Sequence, residues 1–109
     1  MIFAVNLFNL VSGKENEYRD YSIRAGKLIY GVAGRVVASG ADPVRLLSGD
    51  KERRYFILVE FPNEEAFQGF LDQAEKSHLH ELREGATADY IWQLFKPWDL
   101  RAWVKETSR

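Results

Sequence analysis

Apolar residues alternate with a period of two along residues 2–11. Ile2, Ala4, Phe8 and Leu10 share one face with Asn6, while Phe3, Val5, Leu7 and Val11 share the other with Asn9. Both faces are largely apolar, which predicts a central strand covered on both sides. The period then changes. Ser12 and Glu15 have capping-box spacing and predict a helix that runs to about Gly31. Tyr18, Tyr21, Ala25, Leu28, Ile29 and Val32 recur at three- and four-residue steps, and Glu17, Arg19, Asp20, Arg24 and Lys27 fill the opposite side. Ile23 and Tyr30 fall outside the stripe. Gly31 and Gly34 supply a stop. Residues 35–39 predict a second strand, broken by Gly40, Ala41, Asp42 and Pro43. Residues 44–47 form a short extended piece. A turn at residues 48–51 would fold it back on residues 54–61 as an antiparallel hairpin.

Residues 54–61 alternate again. Phe56, Leu58 and Glu60 share one face, and Tyr55, Ile57, Val59 and Phe61 the other. Pro62 cannot donate to a ladder and ends the strand. Asn63 caps a second helix, with Glu64 and Glu65 in its positive first turn. Its stripe is Ala66, Phe67, Phe70, Leu71 and Ala74. Residues 75–85 continue as a helical turn or two, kinked near Ser77, with Leu79 and Leu82 inward. Residues 90–95 are the last strand, and Pro97 ends it. Trp98 and Trp103 predict a short tail, residues 97–109, docked on the domain. The order strand, helix, strand, strand, helix, strand defines an α+β ferredoxin-like βαββαβ sandwich, with two helices on one face of an antiparallel four-stranded sheet. The bare face would be a large apolar patch, so a second subunit or a ligand must cover it.

Composition narrows the picture without changing it. The chain has 109 residues, one domain's worth, with 46% hydrophobic and 14% aromatic residues. With 15 basic and 16 acidic residues the net charge is -1, against a general polyanion binder. There is no cysteine, which excludes disulfides, thiol catalysis and thiolate metal sites. The apolar start is interrupted by Asn6 and Asn9 and lacks a basic leader, so it is not a signal peptide, and no run is long enough to span a bilayer. A soluble cytoplasmic protein is the expectation.

Several stretches resemble an uncharacterised domain-of-unknown-function family within the dimeric α+β barrel superfamily. They are Tyr18-x-x-Tyr21, Ala33-Gly34-Arg35-Val36-Val37-Ala38-Ser39-Gly40, Phe56-Ile57-Leu58-Val59-Glu60-Phe61-Pro62-Asn63-Glu64-Glu65-Ala66 and Leu82-Arg83. The likeness runs over residues 2–96. Ala33 stands where a second glycine is usual, His80 lies near a usual tyrosine, and the tail after Pro97 is additional. The resemblance implies a homodimer in which two sheets pack face to face, each subunit keeping a pocket between sheet and helices. Members of the superfamily include cofactor-independent monooxygenases of aromatic substrates, haem-binding enzymes, isomerases and proteins without known activity, so the fold does not fix the function. The chain also resembles the RNA-recognition motif at residues 2–7 and 54–61. Tyr55 and Ile57 replace small residues there, Leu58 replaces a stacking aromatic, and Glu60 and the acidic balance oppose RNA, so nucleic acid is not the expected partner.

Candidate chemistry is sparse. His78 and His80 are two apart, about 200° around a helix axis, and cannot share a metal there. Zinc needs three or four convergent ligands, so no metal is expected. His78 is the candidate to move a proton at the pocket mouth, against the plainer reading of an exposed histidine. Asn6 and Glu60 are polar positions on apolar strand faces. Each, together with Arg35, is a candidate ligand-binding residue, against a structural polar pair such as Glu60 with Arg35. Tyr18, Tyr21 and Trp92 are candidate pocket walls, against plain core. Arg83 could pair with Glu84 or Glu81 or clamp an anionic ligand. No nucleophile triad, phosphate loop or dinucleotide fingerprint is present, and no cofactor is implied. The expected function is binding of a small organic molecule by a homodimeric barrel, with cofactor-independent turnover of a small aromatic substrate as its catalytic form.

Overall fold

The computed structural model of the chain describes residues 1–107. Four strands form one antiparallel sheet: β1 (Ile2–Leu10), β2 (Arg35–Ala41), β3 (Tyr55–Phe61) and β4 (Thr87–Phe95), in the order β2-β3-β1-β4. Helices α1 (Glu15–Gly31), α2 (Glu64–Lys76) and α3 (Leu79–Ala86) cover one face, and α4 (Leu100–Thr107) follows β4. The expected ferredoxin-like α+β arrangement is therefore present.

β1 is central, as its double-faced apolar pattern requires. It pairs with β3 through Ala4↔Val59 and Asn6↔Ile57, and with β4 through Asn6↔Trp92. Ile2, Ala4, Asn6 and Phe8 are buried, while the residues between them are half-buried. The core thus lies on the helix side. Phe8, Phe61 and Leu79 are its most enclosed large side chains, packed with Tyr18, Tyr21, Ile29 and Phe70 from the helices.

Helix boundaries follow local chemistry, with one correction. Ser12 does not cap α1. Val11 accepts a hydrogen bond from the Lys14 amide at 3.0 Å, closing a turn in which Gly13 takes φ +85°. That turn carries Ser12 away from the helix, and Lys14 becomes the first cap residue with no side-chain bond. At the other end, Ala33 adopts φ 64°, the left-handed conformation that glycine ordinarily fills. Gly34 is needed for a different reason: a Cβ there would lie 2.9 Å from Ile29 Cγ2 and 3.0 Å from Phe61 Cδ1. Asn63 caps α2 as expected, accepting from the Ala66 amide at 2.8 Å. The kink near Ser77 is a full break, with His78 left-handed at φ 57°.

Two further expectations are corrected. Residues 44–47 do not pair with β3; β2 does, through Arg35↔Glu60 to Ala41↔Tyr55, and Val44 is fully exposed. Polar bonds hold the intervening loop. Asn9 donates to the Glu52 carbonyl at 3.2 Å and accepts from the Arg54 amide at 2.9 Å, and Lys51 pairs with Asp89. Nor is the tail docked on its own domain: Trp98, Leu100, Trp103 and Val104 remain exposed, while Trp98 and Trp103 meet edge-on at 5.1 Å. Residues 108 and 109 of the predicted tail lie outside the described residues.

Candidate functional site

A cavity of about 210 Å³ lies between α1 and the sheet. It exists because α1 presents small residues, Ala25 and Gly26, over the middle of β1 and β3, while Tyr18 and Tyr21 stand at one side and Phe70 at the other. Ala4, Ile29, Val59 and Phe61 make most of the wall apolar. The lining residues with polar side-chain groups are Asn6, Ser22, Ser39, Tyr18, Tyr21, Tyr90 and Trp92. No carboxylate, imidazole or ammonium is among its lining residues.

Four predicted site residues meet here: Asn6, Tyr18, Tyr21 and Trp92. Register brings Asn6 and Trp92 side by side, and the α1 stripe turns Tyr21 toward them. Asn6 accepts a short hydrogen bond, 2.6 Å, from the Tyr90 hydroxyl and donates to the Ile57 carbonyl at 3.3 Å. One amide hydrogen of Asn6 is left over after these bonds. Burial pushes the phenols of Tyr18, Tyr21 and Tyr90 above their ordinary value, because charging them inside apolar walls is unfavourable. They are therefore neutral hydrogen-bond donors at working pH. Ser22 approaches the Tyr18 hydroxyl and partly offsets its rise, but no well-formed hydrogen bond joins them.

Arg83 stands behind two of these walls. Its guanidinium lies 5.2 Å from the Tyr90 ring centroid and 4.8 Å from that of Trp92. The side chain is only 11% exposed, and its carboxylate neighbour is Glu84 at 3.7 Å. Nη1 is 3.3 Å from His80 Nδ1. Its positive charge also opposes the rise that burial gives the Tyr21 phenol.

The other predicted residues lie elsewhere. Arg35 and Glu60 are directly paired across β2 and β3 and form an ion pair on the helix-free face, on the far side of the sheet from the cavity. His78 is exposed at the break between α2 and α3, 3.7 Å from Glu81. His80 neighbours Arg83 instead. Among the described residues, no group of three or more His, Asp or Glu side chains converges to hold a metal. Sequence reasoning missed Tyr90, although it shares the Trp92 face at a spacing of two. It also left Arg83 open, although Leu79, Leu82 and Ala86 place position 83 on the buried side of a helix.

An antiparallel sheet in the order β2-β3-β1-β4 with helices on one face defines the ferredoxin-like α+β class of fold. Within that class the chain belongs to the family described as Domain of unknown function (DUF1330), whose model matches residues 6–94. Among curated proteins, none matches the chain. A protein of unknown function from Rhodopseudomonas palustris shares 20% identity, with 90% of this chain and 82% of that chain covered and a TM-score of 0.77. SnoaB, a cofactor-independent oxygenase from Streptomyces nogalater, is 15% identical over 90% of this chain and 93% of its own, with a TM-score of 0.59. A DABB family protein with a ferredoxin-like fold from Mesorhizobium loti is 15% identical over 89% of this chain and 96% of its own, with a TM-score of 0.58. The β4 end and α4 fall outside the family match. No helix among the described residues is long and apolar enough to cross a membrane.

Proposed function

We propose that the chain is one subunit of a homodimeric α+β barrel that binds a ring-sized, mostly apolar organic molecule beneath α1. The cavity carries this reading. An apolar cavity of about 150 Å³ holds benzene, so 210 Å³ has room for one substituted ring. Asn6, Tyr21 and Trp92 give that ring an amide, a hydroxyl and an aromatic wall, the mix of few polar groups on apolar surface that ligand sites use. The dimer reading is supported by the uncovered sheet face, where Phe3, Val5, Leu7, Phe56, Leu58, Ile91 and Phe95 collect, and by the likeness to a DABB family protein.

Binding is favoured over proton abstraction. The lining phenols are raised, the amide is neutral, and His78 is exposed outside the lining, so the reading gives His78 no role. The resemblance to SnoaB supports turnover only as far as a shared fold does. The test is a titration of ¹⁵N-labelled protein with single-ring aromatic compounds, following the Trp92 indole N–H. Wild type should shift. Gly26→Leu should not, because it fills a lining position at which a Cβ meets nothing within 4 Å. If no compound moves the Trp92 signal in wild type, the binding reading fails. Light scattering of the eluted protein tests the dimer, and a monomer at all concentrations refutes it.

A further inference from the structure

We infer that the ligand of this cavity is a ring-sized organic anion whose charged oxygen is held by the Tyr21 hydroxyl, with Arg83 supplying the positive charge behind it. The inference rests on the binding reading above and adds a charge to it. Its basis is a donor inventory. A guanidinium only donates, so Arg83, whose charge reaches the Tyr21 hydroxyl, cannot take that hydroxyl's proton. Tyr21 lines the cavity, so that proton has the ligand space within reach. Tyr90 differs: its proton is already given to Asn6. Tyr18 adds a second hydroxyl at the wall, buried and without a hydrogen-bond partner.

The electrostatics point the same way. A guanidinium that is 11% exposed ordinarily keeps a close carboxylate, since an uncompensated buried charge is costly. Here the carboxylate neighbour is Glu84 at 3.7 Å, and Glu84 itself is 73% exposed. Glu17, with one buried oxygen on α1, does not line the cavity. Arg83 does not line the cavity either; its charge reaches the lining hydroxyls from behind the Tyr90 and Trp92 walls, and no lining residue carries an anion. Stacking over Tyr90 and Trp92 fixes the guanidinium in place, so it does not have to be ordered when ligand enters.

The discriminating probes are benzoate and benzyl alcohol, alike in size and different in charge, titrated against the intact protein at neutral pH. A charge-assisted hydrogen bond exceeds a neutral one by enough to make benzoate about tenfold tighter. Arg83→Gln should bring benzoate down to the level of benzyl alcohol. Tyr21→Phe, which removes one hydroxyl from a core that keeps its ring, should reduce the benzoate preference without depending on how Arg83→Gln folds. A purely structural arginine would weaken both probes together and leave their ratio unchanged, which overturns the inference. Equal affinity of wild type for the two probes also overturns it, while leaving the cavity reading intact. Failure of both to bind overturns both readings.

Discussion

Asn6 and Tyr90 should behave as one unit in folding. Asn6 is 7% exposed, and the 2.6 Å bond from the Tyr90 hydroxyl fills its oxygen. Tyr90→Phe removes the donor and leaves the Asn6 oxygen unpaired among Ala4, Val59 and the aromatic walls. Asn6→Leu does the converse and strands a phenolic hydroxyl, along with the weaker 3.3 Å bond to Ile57. Leaving one buried polar group unmade costs about 1–3 kcal/mol, so each single variant should lose that much. The double variant strands neither group. Its loss should fall short of the summed singles by about 1–2 kcal/mol. Urea unfolding at fixed protein concentration measures this, with the slope checked for constancy, because a dimer makes stability concentration-dependent. Additivity within about 0.5 kcal/mol would refute the coupling.

Ala33→Gly should raise stability, because a left-handed alanine is strained by about 1 kcal/mol and the gain is reduced by the flexibility glycine adds to the unfolded chain; the same urea midpoints read it, and Ala33→Val should lower them. Lys51 and Asn9 hold the Asp89 carboxyl below its ordinary value of 3.8. Its folded pKa is depressed, so this stabilisation is present above the unfolded pKa and lost as pH falls through the folded one; Asp89→Asn should flatten that acid limb in a pH series of unfolding midpoints. Phe56→Glu, on the uncovered sheet face, should convert dimer to monomer in light scattering while leaving far-UV circular dichroism unchanged, and a surviving dimer would move the interface elsewhere.

The fold was readable where one element's periodicity is enough. β1, β3, α1 and α2 each carry a stripe that only one packing satisfies, and Asn63 and Pro62 mark a boundary in local chemistry. Residues 44–47 are apolar enough to suggest a strand, whereas Asn9 and Asp89 hold that loop through bonds 36 to 45 residues apart in sequence. Such bonds leave no local pattern. Ser12 misled for the opposite reason: its spacing to Glu15 is right, but Gly13 turns the chain before the helix starts. The site was half readable. Asn6 and Trp92 share a cavity with Tyr21 because they lie on the helix-facing side of their strands and it lies on the sheet-facing side of α1. Arg35 and Glu60 do not, since Asn6 pairs with Ile57, and three residues along a strand is an odd step to the other face.

That odd step gives Glu60 its explanation and a test. A carboxylate on an apolar face is tolerable when a partner neutralises it, and Arg35 does so from the directly opposing position on the neighbouring strand. In the single chain the Glu60 side chain is 20% exposed and that of Arg35 63%, so the pair is still partly in water. A second sheet packed on this face would remove that water. The consequence differs sharply between the two situations. If the face stays open, Glu60→Gln costs little, because solvent-exposed ion pairs contribute little. If a partner subunit covers it, the same change leaves Arg35 charged and unpaired in a dry interface, and the loss is large. Replacing both residues, as Arg35→Met with Glu60→Leu, should then recover most of that loss, since well-packed apolar pairs substitute for buried ion pairs without penalty. Dimer dissociation followed by dilution reads the outcome. Weak dimers for the single variant with recovery in the double place this pair inside the subunit interface; identical dissociation for wild type and both variants would remove it from there.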